Sequence, residues 1–280
     1  MNGSLWRFAM GLLPKRAFSR LVGGLVNLPL PQPLGRKSIE SFAKFYDIDT
    51  AAAERPLSEY RTIGEFFTRR LKPGLRPIGP GVVHPADALI TQAGLVDAGT
   101  LIQAKGKTYT VSGLLGGNQF ASRFEGGHYL TYYLCPTDYH RVHAPVDGRV
   151  IAGAHIPGVL WPVNFASVEN VDGLFARNER ALAVIETEKG LAALVMVAAV
   201  GVGNMTLFFD RTLDSAAHAG ESGTTKLDYE PALTLRRGDE FGVFNMGSTV
   251  IMLYEKGVLD ADPSPLRGIK TLMGAPLQHP

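Results

Sequence analysis

The chain has 280 residues, of which 45% are apolar and 19% charged, and its formal net charge is +2. That composition excludes a disordered chain and calls for one large packed domain or two unequal ones. So small a net charge gives no argument for a nucleic-acid partner. The single cysteine, Cys135, excludes an intramolecular disulfide and a multi-cysteine metal site. It ends an apolar run that starts at Tyr129 and reads as a small buried hydrophobe.

Residues 1–76 read as helical. Leu5, Phe8, Ala9, Leu12 and Leu13 share one helical face, and Phe18, Leu21, Val22 and Leu25 repeat the pattern after Pro14. Gly23-Gly24 weakens that second helix. The first 37 residues hold six Lys/Arg and no Asp or Glu. An apolar face flanked only by positive charge fits a helix lying on an anionic membrane surface, or one docked on the domain with a solvated basic side. Phe8 to Leu13 is too short and too soon broken by Pro14-Lys15-Arg16 to read as a signal peptide. Ser38 is placed to cap a third helix with Ile39, Phe42 and Phe45 on one side. Thr62-Ile63-Gly64-Glu65 fits a capping box for a fourth, carrying Phe66, Phe67 and Leu71.

Pro73, Pro77 and Pro80 then end the helices, and residues 77–280 read as strand, turn, strand. The 32 glycines and 18 prolines agree with many turns. Expected strands include Tyr129 to Leu134, Arg149 to Ile151, Leu182 to Ile185, Leu191 to Val200 and Thr249 to Tyr254. The Leu191 to Val200 run is well short of the roughly 20 apolar residues that cross a bilayer, so it reads as a buried strand. Pro85-Ala86-Asp87-Ala88 and Pro145-Val146-Asp147-Gly148 echo each other as proline-led turns feeding strands, as in sandwich folds. The predicted class is therefore α+β, with N-terminal helices followed by a β-rich domain of sandwich type.

The densest polar cluster is Asp138-Tyr139-His140-Arg141-Val142-His143. Two histidines three apart at a strand end suit proton transfer near neutral pH. Metal binding is the rival, but the glutamate of a His-Glu-x-x-His zinc motif is missing, so no metal is expected. His84 reads as a surface residue and Asp87 as a candidate orienting carboxylate, with a plain Asx turn as its alternative. Gly247-Ser248-Thr249 places an unhindered carbonyl before a hydroxyl, so Ser248 attacking Gly247 would cut the chain. Asp87, a histidine of the cluster and Ser248 together supply an acid–base–nucleophile relay. Gly220-Glu221-Ser222-Gly223 lacks the spacing of a nucleophile elbow, and Gly201-Val202-Gly203 lacks the third glycine of a dinucleotide fingerprint.

Several stretches taken together closely resemble the phosphatidylserine decarboxylase family, in its bacterial membrane-associated, pyruvoyl-dependent type. They are Thr62 to Leu71 (TIGEFFTRRL), Pro85-Ala86-Asp87, Thr137 to Pro145, Phe175 to Arg180 and Gly238 to Thr249. Met246 stands where the family usually has Leu, and Ala88 where it usually has Gly. The resemblance implies self-cleavage between Gly247 and Ser248, with His143 taking the Ser248 proton and Asp87 holding the imidazole. It implies a covalent pyruvoyl cofactor derived from Ser248, which forms a Schiff base with the substrate amine and accepts the electrons that CO₂ leaves behind. His140 would protonate the carbanion, giving phosphatidylethanolamine. Residues 1–76 become a membrane-associating region and 77–280 the catalytic domain. The implied partners are phosphatidylserine in an anionic membrane, the two self-derived chains held together, and a second copy in a homodimer. The implied location is the cytoplasmic side of the cell membrane, peripherally bound. Two readings compete: a serine hydrolase using Asp87, His143 and Ser248 without self-cleavage, and a carrier or lipid-binding module, for which no modified lysine at a hairpin tip presents itself.

Overall fold

The computed structural model describes residues 15–201, 204–245 and 248–277. The expected first helix, Leu5 to Leu13, lies outside them, as do Met246 and Gly247. Three helices come first: α1 (Lys15–Val26), α2 (Leu34–Phe45) and α3 (Ile63–Phe67). α1 runs straight through Gly23-Gly24, although each glycine costs a helix interior roughly 1 kcal/mol against alanine. α2 starts earlier than its expected cap. Ser38 sits inside it, and its hydroxyl donates back to the Gly35 carbonyl (2.7 Å). Ile39 is buried as expected, but Phe45 is 80% exposed. Thr62 does cap α3, accepting from Glu65 N at 3.0 Å, while the Glu65 carboxylate reaches past the cap to Arg61 N (2.8 Å). Ile39, Ala43, Ile48, Ala53, Tyr60 and Phe66 close a small core of their own.

The rest of the chain contributes thirteen strands among the described residues. In order they are β1 (Ala88–Leu95), β2 (Thr100–Ala104), β3 (Lys107–Thr110), β4 (His128–Leu134), β5 (Arg141–His143), β6 (Gly148–Ile156) and β7 (Arg180–Thr187). β8 (Gly190–Val197), β9 (Met205–Leu207), β10 (Thr225–Leu235), β11 (Glu240–Phe244), β12 (Ser248–Tyr254) and β13 (Lys270–Thr271) complete them. Eight form one antiparallel sheet in the order β10-β6-β7-β8-β12-β4-β1-β13. β5-β11-β9 make a second, three-stranded sheet, and β2-β3 a hairpin. The α+β reading with a sandwich-like β core is therefore what the chain adopts.

The continuous apolar run at β8 follows from burial on both faces. Ala192, Leu194 and Met196 enter the core shared with the three-stranded sheet. Ala193, Val195 and Val197 enter a second core, closed by the β2-β3 hairpin and by α4 (Val111–Leu114), α5 (Phe165–Asn170) and α6 (Leu174–Arg177). These three helices of four to six residues are too short to leave a periodic signal and were not expected. The two Pro-x-Asp turns do lead into strands, β1 and β6, and they lie side by side: Val83 N donates to the Pro145 carbonyl (2.9 Å). Ala88 opens β1 without a positive φ, so the freedom of a glycine is not needed there.

Candidate active site

β12 lies between β4 and β8, with Ser248 opposite Leu134 and Thr249 opposite both Tyr133 and Val197. The chain leaving β4 turns through Cys135 to Tyr139 and enters β5, bringing the histidine pair to the same end of the sheet as Ser248. Cys135 N donates to Asp138 Oδ2 (2.8 Å) and shapes this turn. The thiol itself is half-buried rather than buried, because it sits at the strand end; burial, aided by Asp138, raises its pKa and keeps it protonated.

His140 is fully buried, its ring 4.0 Å from that of Phe67. Its Nδ1–H donates to the Asp138 carbonyl at 2.9 Å, which leaves Nε2 as a lone pair with no partner. Burial, reinforced by the nearby Arg69 charge, lowers its pKa to about 3, so the free site holds a neutral imidazole. Arg69 is 4% exposed; its Nε is unpartnered and it reaches only the Phe67 and Thr137 carbonyls, both at 3.5 Å.

His143 is held differently. Its Nδ1–H donates to the Gly238 carbonyl (2.8 Å), and the Tyr139 hydroxyl donates to its Nε2 (3.1 Å). Burial lowers its pKa, while the Gly238 carbonyl, Glu240 and Asp87 pull the other way. Gly238 has φ +88°, and a Cβ there would meet Ile78 Cγ1 at 2.8 Å, so the position that orients His143 demands glycine. The Glu240 carboxylate, opposite His143 on β11, is shared between Arg70 (2.9 Å) and Arg141 (2.8 Å), tying the segment after α3 to β5.

Asp87 is 4% exposed and fully engaged elsewhere. Arg76 approaches it side-on, Nε to Oδ1 at 2.9 Å and Nη2 to Oδ2 at 2.5 Å, and Met273 N donates to Oδ1 at 2.8 Å. The structure thus joins Asp87 to His143 only through backbone, where His143 N donates to the Pro85 carbonyl (2.8 Å). Arg76 lies in an irregular proline-rich stretch, and nothing in the sequence marked it. His84, expected at the surface, is 5% exposed with Nδ1 3.1 Å from Tyr132 OH; burial lowers its pKa to about 4. The side chain of Ser248 and the whole of Gly247 fall outside the described residues. Their neighbours bracket them: Phe244 N donates to the His140 carbonyl (3.1 Å), and Ser248 resumes the sheet opposite Leu134. Among the described residues no group of three or more His, Cys, Asp or Glu is placed to hold a metal ion.

A buried imidazole with a free lone pair, beside a buried guanidinium with no carboxylate partner and at the end of a central strand that a serine opens, is an arrangement able to move protons. Comparison with known proteins identifies the family. A profile of the phosphatidylserine decarboxylase family matches residues 63–277. The chain is 45% identical over 280 residues to a phosphatidylserine decarboxylase proenzyme of Anaeromyxobacter sp. (strain K), covering 99% of each chain. It is 43% identical to that of Myxococcus xanthus (strain DK1622) over 91% of each, and 44% identical to that of Brevibacillus brevis over 95% of this chain and 94% of the relative. The chain belongs to the phosphatidylserine decarboxylase family.

Proposed function

We propose that this phosphatidylserine decarboxylase cuts itself between Gly247 and Ser248, converts Ser248 into a pyruvoyl group and uses it to turn phosphatidylserine into phosphatidylethanolamine. The observation that carries this reading is the bracketing of residues 245–247. On one side Phe244 is bonded to the His140 backbone, and on the other Ser248 begins the central strand. The segments on either side of the proposed cleavage bond are thus tied to the backbone of the histidine turn and to the central sheet, which supports a reaction between them.

Loss of the Ser248 proton to His143 lets Oγ attack the Gly247 carbonyl. The C–N bond breaks as the ester C–O bond forms, and the amine stays on residue 248. Removal of the Ser248 α-proton then expels the Gly247 carboxylate, leaving dehydroalanine. Water replaces its nitrogen, releasing ammonia and leaving the pyruvoyl group. In the conformation described, the Gly238 carbonyl orients His143, and the Tyr139 hydroxyl must yield its place on Nε2. For Asp87 to hold the imidazole directly, Arg76 would have to release it. The pyruvoyl carbonyl supplies the electron sink that loss of CO₂ requires. The unpartnered Nε2 suits His140 to carry the proton that Cα must regain, and the two anionic groups of the lipid head favour its charged form. Intact-mass analysis of the purified protein is expected to give two chains, 1–247 and 248–280. A single unmodified chain with full activity would overturn the reading, and a hydrolase using the same residues would give that result.

We further infer that the N-terminal helices hold the enzyme peripherally on the cytoplasmic face of an anionic membrane. No described helix is long and apolar enough to cross one. α1 instead exposes Phe18 (41%), Leu21 (62%) and Leu25 (61%) along one stripe, with Arg20 beside them. Apolar groups seated at the headgroup boundary next to a cation are what such binding uses. Replacing Leu21 and Leu25 together by serine is expected to lower partitioning onto phosphatidylserine-containing vesicles about tenfold or more in a sedimentation assay. Unchanged partitioning would leave α1 as a docked helix only.

A further inference from the structure

A cavity of about 390 Å³ is walled on one side by α1. Arg20, Gly23 and Gly24 of α1 line one wall, and His155, Glu179 and Asn204 line the other. Two of its lining residues are bonded through backbone to the chain just before β12 and to the end of the strand beside it. The Asn204 carbonyl accepts from Asn245 N (3.2 Å), and the Glu179 carbonyl accepts from Ala198 N (2.9 Å), one residue beyond the partner of Thr249.

Three features of the cavity call for an occupant. Gly23 and Gly24 weaken a helix and yet have nothing to gain by it, for a Cβ on either would meet no described atom within 4 Å. Their bareness keeps the space open. His155 is 1% exposed and its Nδ1 has no partner, while its Nε2–H faces Glu179 Oε1 at 3.2 Å. The ring is stacked on His218, centroids 4.3 Å apart and 8° from parallel, so it is fixed in place. Arg20 makes no ion pair with a described residue.

We propose that this cavity receives the phosphodiester head group of the lipid substrate, with Arg20 as its anion-facing group and His155 as a fixed polar contact in its wall. The proposal rests on the lipid-decarboxylase reading above. The phosphodiester lies toward Arg20, near the membrane stripe, and the serine moiety points inward past Glu179 to the start of β12. A polar head-group atom bound in the cavity would give the orphaned Nδ1 of His155 its partner. The phosphodiester keeps its charge throughout the reaction, so contacts to it stabilise ground and transition states alike and set KM rather than kcat.

The test uses the full chain carrying Ser248→Ala, which needs no processing to bind, titrated calorimetrically with water-soluble dihexanoyl phosphatidylserine. Gly23→Leu fills the cavity while favouring the helix, and Arg20→Gln removes the cation. Each is expected to weaken binding about tenfold or more with an unchanged or raised melting temperature. Millimolar inorganic phosphate is expected not to displace the lipid. In the processed enzyme, Arg20→Gln is expected to raise KM by a similar factor with kcat within about twofold. No binding to the parent chain, full affinity in Gly23→Leu, or displacement by inorganic phosphate as effective as by lipid would each overturn the proposal. Failure of the pyruvoyl reading would show separately, as an uncut chain in the mass measurement.

Discussion

Replacing Ser248 by alanine is expected to leave one uncut chain of 280 residues and to abolish decarboxylation with the cleavage. Without Oγ there is no attack on the Gly247 carbonyl, and without the elimination that follows there is no carbonyl to act as electron sink. The variant should fold, because β12 is held by backbone pairing to β4 and β8 and by Val250, Ile251, Met252, Leu253 and Tyr254, all fully buried. Gel mobility under denaturing conditions reads the cleavage, and release of labelled CO₂ reads the chemistry. Decarboxylation surviving in an uncut alanine variant would remove Ser248 as the source of the cofactor.

His140→Gln is expected to separate the two reactions. Cleavage should proceed, because the proton taken from Ser248 is assigned to His143, whereas CO₂ release should fall about 100-fold or more, the usual scale for loss of a positioned acid. The glutamine amide can still donate to the Asp138 carbonyl that now accepts from Nδ1, so the turn after β4 is kept. What it lacks is a site that takes up and returns a proton. His140 is neutral in the free site because burial and Arg69 disfavour its charge, so protonation must accompany substrate binding. Loss of cleavage together with decarboxylation would refute the division of labour between the two histidines.

The sequence spoke most clearly where periodicity or local polarity is strong. The β4, β7, β8 and β12 runs are long and apolar, and the Asp138 to His143 cluster is a polar island at a strand end. Its limits have physical causes. Arg76 and Gly238 act on Asp87 and His143 from 11 and 95 residues away in sequence. Such distant contacts leave no mark on local pattern. His84 looked like a surface residue because a lone polar side chain before proline usually is one, yet Tyr132 gives it a buried partner. Ser38 was expected to cap a helix that in fact begins at Leu34, since the preceding prolines supply no side-chain signal for where the helix starts. Arg69 sits within a stretch that carries the family resemblance, but only its burial without a counter-charge singles it out.

The central position of β12 has a consequence for the protein's history. Cutting the chain just before an interior strand does not free the shorter piece, because edge-to-edge pairing on both sides and a core on both faces still hold it. Once cut, however, the two pieces share no covalent tie, and regaining the fold from the unfolded state becomes a second-order reaction that slows on dilution. The uncut chain has no such handicap. Under the proposed cleavage, the polypeptide would assemble its sheet while still whole and only afterwards give up the bond that made assembly easy. A mature sample unfolded in denaturant should therefore recover far less well than the alanine variant at the same low concentration.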